Sequence, residues 1–369
     1  MRLDSLFLEN FRNYQSQKVD FHPVCNVIWG ENAQGKTNLL EAMVCLSCGR
    51  SHRTRTDREL IRFGEGGFLL EGTVRTRDRA FISRIEAGAG RKKKISVNKV
   101  PAKSASELSG VLNTVFFSPE DLQLIREGAA ARRRFMDASL CQLRPRYAAA
   151  LAEYQRLHEH KTRLLRDCAE RPDLMATLPD FNLRMAEAGA ALIHYRSRFA
   201  RLLGQYAAPA HLECSGGREA LEITYTTVKT VTDPFGDHQT LVGQLLEHQR
   251  THYSAEISSR QCLSGPHKDD LEVSLNGVSA RSFASQGQTR TAALSMKLAA
   301  REIHREIIGE YPVLLLDDVL SELDPRRQEY VLNRLGSGQV FITCCEEDRL
   351  HSLLKGNVYR VSGGVVLPG

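Results

Sequence analysis

Gly30, Glu31, Asn32, Ala33, Gln34, Gly35, Lys36 and Thr37 follow a short apolar run, Val24 to Trp29, and precede the helical stretch Asn38 to Leu46. Strand, glycine-rich loop and helix in that order suit a phosphate. The glycines let backbone N–H groups turn toward one point, and the helix N-terminus adds positive potential there. In such a loop Lys36 reaches the β- and γ-phosphates of ATP, and the Thr37 hydroxyl ligates Mg²⁺. Far along the chain, Val313-Leu-Leu-Leu316 ends in Asp317 and Asp318. A buried central strand presents such carboxylates at its C-terminal end, where open α/β sheets bind their ligands. Asp317 is expected to share Mg²⁺ with Thr37, and Asp318 to polarise an attacking water. Either half alone is a modest signal; together they make both halves of a Mg–nucleotide site.

A third segment, Phe283-Ala-Ser-Gln-Gly-Gln288, precedes a helix expected to begin near Thr289. Ser285 and Gly287 at a helix N-terminus would be well placed for an anion. A plain N-cap role for Ser285 is the other reading. Residues 126–166 carry a local balance of +6, equal to the formal charge of the whole chain. Arg132, Arg133 and Arg134 in that stretch are candidates for phosphate contacts along a nucleic acid. Arg91, Lys92, Lys93 and Lys94 form a second basic run beside a β-rich segment, and blunting an edge strand is its other reading. No base-reading motif accompanies either. His267 lies in Gly265-Pro-His-Lys-Asp-Asp270, where a polar turn outweighs a metal site built on one histidine.

The elements that must position these residues are legible in outline. Strands are expected at the N-terminus and over 67–75, 80–86, 94–100 and 111–117, and again over 221–228, 271–275, 313–319 and 339–343. From about 121 to 210 Ala, Leu, Arg and Glu dominate. Tyr147, Leu151, Tyr154, Leu157 and Leu164 share one helical face, and Met185, Leu192, Tyr195, Phe199 and Leu202 another. Two antiparallel helices of about 20 residues would make an arm about 30 Å long, with Pro172 and Pro179 in the connection. Further helices are expected over 238–260 and 325–335.

Composition bounds the alternatives. At 369 residues, 42% hydrophobic and 25% charged, the chain supports a sizeable core, which excludes disorder and fibres. No apolar run approaches the ~20 residues that span a bilayer. The start of the chain lacks signal-peptide features, so the nine cysteines are expected to be reduced thiols of a cytoplasmic protein. Cys45 and Cys48 have redox-motif spacing without a matching second pair.

Phe11-Arg-Asn-Tyr14, Gly30 to Met43, Ser51-His-Arg-Thr54, Phe117 to Leu122, Arg132 to Asp137, Gly265 to Leu271, Ser285 to Arg290 and Leu314 to Asp324 occur in this order. This ordered set resembles the RecF family of ABC-type ATPases, bacterial proteins of DNA replication and repair. The resemblance implies an α/β fold: a two-lobed ABC-type head from residues 1–120 and 211–369, with a helical arm over 121–210. It implies ATP and Mg²⁺ as cofactors, Lys36, Asp317 and Asp318 as catalytic residues, and Asn38 and Arg53 beside the nucleotide. Ser285, Gln286, Gly287 and Gln288 become a signature that acts on ATP held by a second copy. Ser321, Glu322, Leu323 and Asp324 become the loop that follows the catalytic strand. The implied partners are double-stranded and gapped DNA, an ATP-dependent homodimer, RecR, and RecO and RecA in the same pathway. The chain departs from the wider ABC pattern at Asp318, where a glutamate is usual, and at Thr343, where a switch histidine often sits; no clear Q-loop glutamine precedes residue 123. Slow hydrolysis is the expected consequence. A membrane transporter subunit, a chromosome-tethering head and a monomeric P-loop kinase are the rival readings. The spacing of 248 positions from Thr37 to Ser285 speaks against the first, and the short heptad seam against the second.

Overall fold

Apolar runs without alternation need cover on both faces, and the strands that carry the candidate site receive it. The computed structural model describes residues 1–54, 56–168, 170–345 and 356–369. These divide into two units: residues 1–123, 213–215 and 293–369, and residues 124–212 and 216–292.

In the first unit, Cys25–Trp29, Val340–Cys344, Val313–Asp317 and Thr114–Phe117 lie side by side and parallel. Asn357–Ser362 pairs parallel with Cys25–Trp29 and turns back antiparallel as Val365–Pro368. That C-terminal hairpin has no counterpart among the elements expected from the sequence. A second six-stranded sheet runs Tyr14–Asp20, Arg2–Phe11, Gly67–Arg75, Ala80–Gly88, Arg91–Val97, Val100–Pro101, all antiparallel. The helix Lys36–Cys48 sits in the core shared by both sheets. Its Leu39, Leu40, Met43 and Leu46 pack with Leu3, Leu6 and Leu8 of one sheet and with Ile28, Leu315 and Phe341 of the other. Each of these four fully buried side chains contributes about 1.5–3 kcal/mol, which fixes the helix start, and with it the loop, against the strand ends. The other face of the parallel sheet is covered by Leu294 and Leu298 of the helix Gln286–Ile308 and by Val331 of the helix Pro325–Asn333.

The second unit combines the helices Ala129–Leu143, Pro145–Asp167, Leu178–Cys214, His238–Thr251 and Tyr253–Ser259 with a small antiparallel sheet, Val278–Ser279, Asp270–Leu275, Leu221–Thr226. The expected boundary, with everything after 210 in the head, therefore moves: residues 216–292 group with the helices. The reason is packing. Ala186, Ala190 and Ile193 of the long helix share a core with Val228, Val231, Leu241 and Leu245. The helix Leu178–Cys214 is also longer than expected, at 37 residues. Pro179 falls in its first turn, where a missing N–H is tolerated, so it does not belong to the connection. No helix among the described residues is long and apolar enough to cross a membrane. All nine cysteines are free thiols.

Candidate nucleotide site

The loop leaves the strand Cys25–Trp29 and closes on the helix Lys36–Cys48. Ala33 has φ 64° and Gly35 φ 119°, and such left-handed residues turn neighbouring N–H groups toward one concavity. A Cβ at Gly35 would lie 2.6 Å from Asn13 Nδ2, so angle and space both require glycine. Lys36 is buried, and its Nζ donates to the carbonyls of Gly30 and Glu31 at 2.5 and 3.0 Å. The Phe11-Arg-Asn-Tyr14 segment braces the loop from below. Asn13 Nδ2 donates to Gln34 O at 2.8 Å, Tyr14 Oη donates to Gly35 O at 2.9 Å, and Asn38 Nδ2 donates to Asn13 Oδ1 at 2.9 Å. From the C-terminal hairpin, Gly363 N donates to the Gln34 side chain at 2.6 Å. Asn13, Tyr14 and Gly363 hold the loop without a chemical signature of their own in the sequence. Only the resemblance marked the first two, and nothing marked the third.

The second turn of the loop helix gathers charge around Glu41. Arg12 grips the buried Glu41 with two bonds of 2.9 and 2.7 Å, and Ser51 Oγ donates to the same carboxylate at 2.5 Å. Burial alone would raise the Glu41 carboxyl, but the hydrogen bonds from Arg12 and Ser51 and the charges of Arg12 and Arg53 hold it below the usual range. Arg53 donates to Asn38 Oδ1 at 3.0 Å, which places its half-exposed guanidinium beside the loop.

Thr37 Oγ1 donates to Asp317 Oδ1 at 3.0 Å, so the loop and the Asp-Asp strand meet. Thr343 Oγ1 donates to the same oxygen at 2.8 Å and accepts from Asp318 N, also at 2.8 Å. Thr343 thus faces the carboxylates from the neighbouring strand, at the place where a switch histidine often sits in ABC-type sequences. Burial pushes the Asp317 carboxyl up, against the two hydroxyl donors. No amine or guanidinium bonds to Asp317 among the described residues. A hydroxyl and a buried carboxylate are hard oxygen donors, and they fit Mg²⁺. Asp318 takes a left-handed φ of 53°. Cys345 Sγ lies 3.1 Å from Asn32 Oδ1 and 3.6 Å from both Lys36 Nζ and Asp318 Oδ2. It reaches the loop from just beyond the strand Val340–Cys344. Ser321 Oγ donates to Asp318 O at 2.6 Å, Glu322 is exposed, Leu323 is buried, and Asp324 caps the helix Pro325–Asn333 by accepting from Arg327 N at 3.1 Å.

In the second unit, Ser285 is the N-cap of the helix Gln286–Ile308, which starts three residues earlier than expected. Gln288 N donates to Ser285 Oγ at 3.2 Å and Ser285 N donates to Gln288 Oε1 at 2.7 Å. This reciprocal capping box leaves Ser285 and Gln286 exposed at the positive end of a 23-residue helix. The cap explains Ser285 within one chain, and the exposed end keeps the anion reading open.

The basic candidates separate on burial. Arg132, expected to meet phosphate, is buried instead: it grips Asp270 at 2.6 and 2.8 Å and donates to the carbonyls of Leu124, Ile125 and Glu127. Arg133 NH1 donates to Asp269 O at 2.6 Å. Lys161, counted in the same basic stretch, is fully buried against Glu256 at 2.6 Å. Lys93 bonds Asp57 and Gly49 O. Arg134, Arg91, Lys92 and Lys94 keep charge at the surface, the last three beside an open groove on the antiparallel sheet. Sequence windows missed this because the compensating acids are distant along the chain. The Gly265–Asp270 stretch gains a role here. Asp269 and Pro266 O hold the buried Arg196 at 2.8 Å each, Arg196 also pairs with Asp137, and Asp270 holds Arg132.

The chain matches the RecF/RecN/SMC N-terminal domain family over residues 2–363. It is 40% identical to the DNA replication and repair protein RecF of Agathobacter rectalis, over 97% of this chain and 99% of that protein. It is 37% identical to the same protein of Acetivibrio thermocellus, over 99% of each. Among solved structures it is similar to the recombination mediator protein RecF-ATPrS in the RecFOR pathway, with a TM-score of 0.92 and 34% identity over all of this chain and 98% of that one. The RecF-ATP structure follows at a TM-score of 0.90 and 35% identity, over 100% and 97%. An Smc head from Pyrococcus furiosus shares the ABC-type head fold at a TM-score of 0.56 and 15% identity, over 100% and 95%. Loop, carboxylate strand and braces thus stand in an ABC-type head of α/β fold, and the chain belongs to the RecF family of DNA replication and repair proteins.

Proposed function

We propose that this chain is an ATP-dependent DNA clamp of recombinational repair, working in the cytoplasm on double-stranded and gapped DNA together with RecR, and with RecO and RecA in the pathway. The meeting of Thr37, Asp317 and Thr343 around one carboxylate oxygen carries the reading, because it joins the phosphate loop to a buried acid. The loop N–H groups and Lys36 bind and orient the phosphates of ATP. Thr37 and Asp317 would hold Mg²⁺, which supplies charge neutralisation between phosphate oxygens. Asp318 orients the attacking water. Its carboxylate is one methylene shorter than the usual glutamate, which supports slow hydrolysis. The exposed end of the helix Gln286–Ile308 supports a second step. Ser285 and Gly287 of one copy complete the phosphate site of the other, so the active species is a homodimer. Arg134, Arg91, Lys92 and Lys94 are the proposed contacts to DNA phosphates.

Steady-state ATP hydrolysis against protein concentration, with and without double-stranded DNA, tests this reading. Specific activity that rises with concentration, and rises again with DNA, is the expected result. Activity per molecule that stays flat and ignores DNA would replace the clamp with a monomeric P-loop enzyme.

A further inference from the structure

The sequence offered His267 as a solitary histidine in a polar turn. The fold brings two more ligand-type side chains to it. His158 comes from the helix Pro145–Asp167, and Cys262 from the segment that follows the helix Tyr253–Ser259. One ligand atom from each of His158, Cys262 and His267 lies within 4.8 Å of the other two. The two imidazole rings stand 4.4 Å apart between centroids. Cys262 is buried and the histidines are half-buried.

The hydrogen bonds of His267 define its tautomer. Nε2 lies 3.0 Å from the carbonyl oxygen of Cys262, which can only accept, so Nε2 carries the proton. Nδ1 therefore presents its lone pair and receives the Tyr154 hydroxyl at 2.8 Å. A ligating histidine that donates its other N–H to a backbone carbonyl is the usual outer-shell arrangement of a metal site. A satisfied polar turn would account for His267 alone. It leaves unexplained why His158 and Cys262 converge on it. Neither ring nitrogen of His158 makes a hydrogen bond among the described residues, and the Cys262 thiol lies 3.8 Å from Ser264 O and beside the Glu256 carboxylate. Gly265 shows how tightly the turn is drawn in. A Cβ there would lie 2.3 Å from Tyr154 Oη, and its φ is 127°.

We propose that His158, Cys262 and His267 form a divalent metal site of the zinc type. One sulfur and two imidazole nitrogens are borderline-soft donors, which favour Zn²⁺ over Mg²⁺ or Ca²⁺. A tetrahedral zinc with bonds of about 2.0–2.3 Å separates its ligand atoms by roughly 3.3–3.8 Å, so closure from the observed spacing takes movements on the order of 1 Å. The metal takes the Nδ1 lone pair of His267, so the Tyr154 hydroxyl gives up its hydrogen bond there, and that hydroxyl or a water fills the fourth place. Binding releases the thiol proton of Cys262 to solvent and leaves both histidines neutral. The metal ties the helix Pro145–Asp167 to the turn Gly265–His267. Asp269 and Asp270, two and three residues further on, anchor Arg196 and Arg132, so the ion would stiffen the polar centre of this unit.

The test uses the full-length chain, stripped with chelator and titrated with Co²⁺ as the spectroscopic probe. One equivalent is expected to give a thiolate-to-cobalt charge-transfer band in the near ultraviolet and tetrahedral bands in the visible, both bleached by one equivalent of Zn²⁺. Cys262→Ser is expected to abolish the charge-transfer band, and His158→Ala to weaken Zn²⁺ binding at least about tenfold. Cys345→Ser should leave the spectrum unchanged, which separates this site from the thiol beside the nucleotide loop. Far-ultraviolet circular dichroism and ATP binding report whether each variant folds. A spectrum without a thiolate band, or one that survives Cys262→Ser in a folded chain, overturns the proposal.

Discussion

Thr343→Val removes one hydroxyl and little volume. That hydroxyl donates to Asp317 Oδ1 and accepts from Asp318 N, both at 2.8 Å. In the variant Asp317 keeps only Thr37 as a donor, at 3.0 Å, and the N–H of Asp318 loses its partner. A hydrogen bond to a charged group is worth about 1.5–3 kcal/mol, and an orphaned buried N–H costs about 1–3 kcal/mol. If most of this falls on the placement of the two carboxylates, about 2–4 kcal/mol of site organisation is lost. At 1.4 kcal/mol per decade, kcat for ATP hydrolysis should fall by roughly 30- to 1000-fold. Thr343 makes no hydrogen bond to residues 30–37, so the KM for ATP should stay within about threefold of the wild type. Thr343→Ser restores the hydroxyl and should recover kcat to within a few fold. Steady-state kinetics on the three proteins, with thermal melts as a folding control, decide the matter. A valine variant with wild-type kcat, or a serine variant as inactive as valine, would refute the positioning role. Equal losses in kcat and ATP affinity would assign the residue to general folding instead.

Four further outcomes follow from the same geometry. Lys36→Ala and Ser285→Arg should each abolish hydrolysis. An equimolar mixture should recover about one quarter of the wild-type rate, because half the dimers are mixed and each holds one intact site; no recovery would exclude the shared site. Asp317 has a raised carboxyl, so its contribution to stability is fully present below about pH 3.8 and is lost as pH rises through its folded value. Asp317→Asn should therefore melt at or above the wild type at neutral pH without Mg²⁺ and lose the rise that Mg–ATP produces; a lower melting temperature without Mg²⁺ would contradict the assignment of burial as the dominant cause. Arg132→Ala breaks a buried pair and should cost about 3–5 kcal/mol of stability. Arg134→Ala should leave stability unchanged and reduce the salt dependence of DNA binding by about one unit of slope, and an unchanged slope would remove Arg134 from the DNA surface.

The residues of the candidate site were legible because the proposed chemistry restricts type and spacing together. Gly30, Gly35, Lys36 and Thr37 must stand in that order before a helix, and Asp317 must end an apolar strand. What escaped was support. Asn13 and Tyr14 hold the loop through carbonyls that any residue presents, and Gly363 reaches it from the far end of the chain. Neither relation leaves a periodicity or a local motif. The charge of residues 126–166 misled for a related reason. A window counts cations and cannot see that Arg132 and Lys161 are neutralised by Asp270 and Glu256. The boundary after residue 210 failed in the same way. The strands Leu221–Thr226 and Asp270–Leu275 look like strands of the head, and only packing against the helices assigns them elsewhere.

Asp318 shows why the shorter acid belongs where it stands. The strand must turn sharply after Asp317, and the turn is made at φ 53° with the N–H tied to Thr343. Asp and Asn enter this left-handed region far more readily than longer side chains do, for which it costs about 1–2 kcal/mol. The backbone therefore selects against the glutamate that other ABC-type sites carry, and the slow hydrolysis proposed above would follow from the shorter carboxylate that the turn favours. Asp318→Glu should accordingly lower stability by about 1 kcal/mol and leave hydrolysis no faster, because the added methylene is gained only by straining or shifting the turn. Asp318→Asn keeps the angle, and should fold as the wild type, bind ATP and fail to hydrolyse it. Chemical denaturation and single-turnover kinetics on the two variants separate backbone from carboxylate. A glutamate variant that is as stable as the wild type and hydrolyses ATP faster would show that the left-handed turn does not dictate the shorter acid.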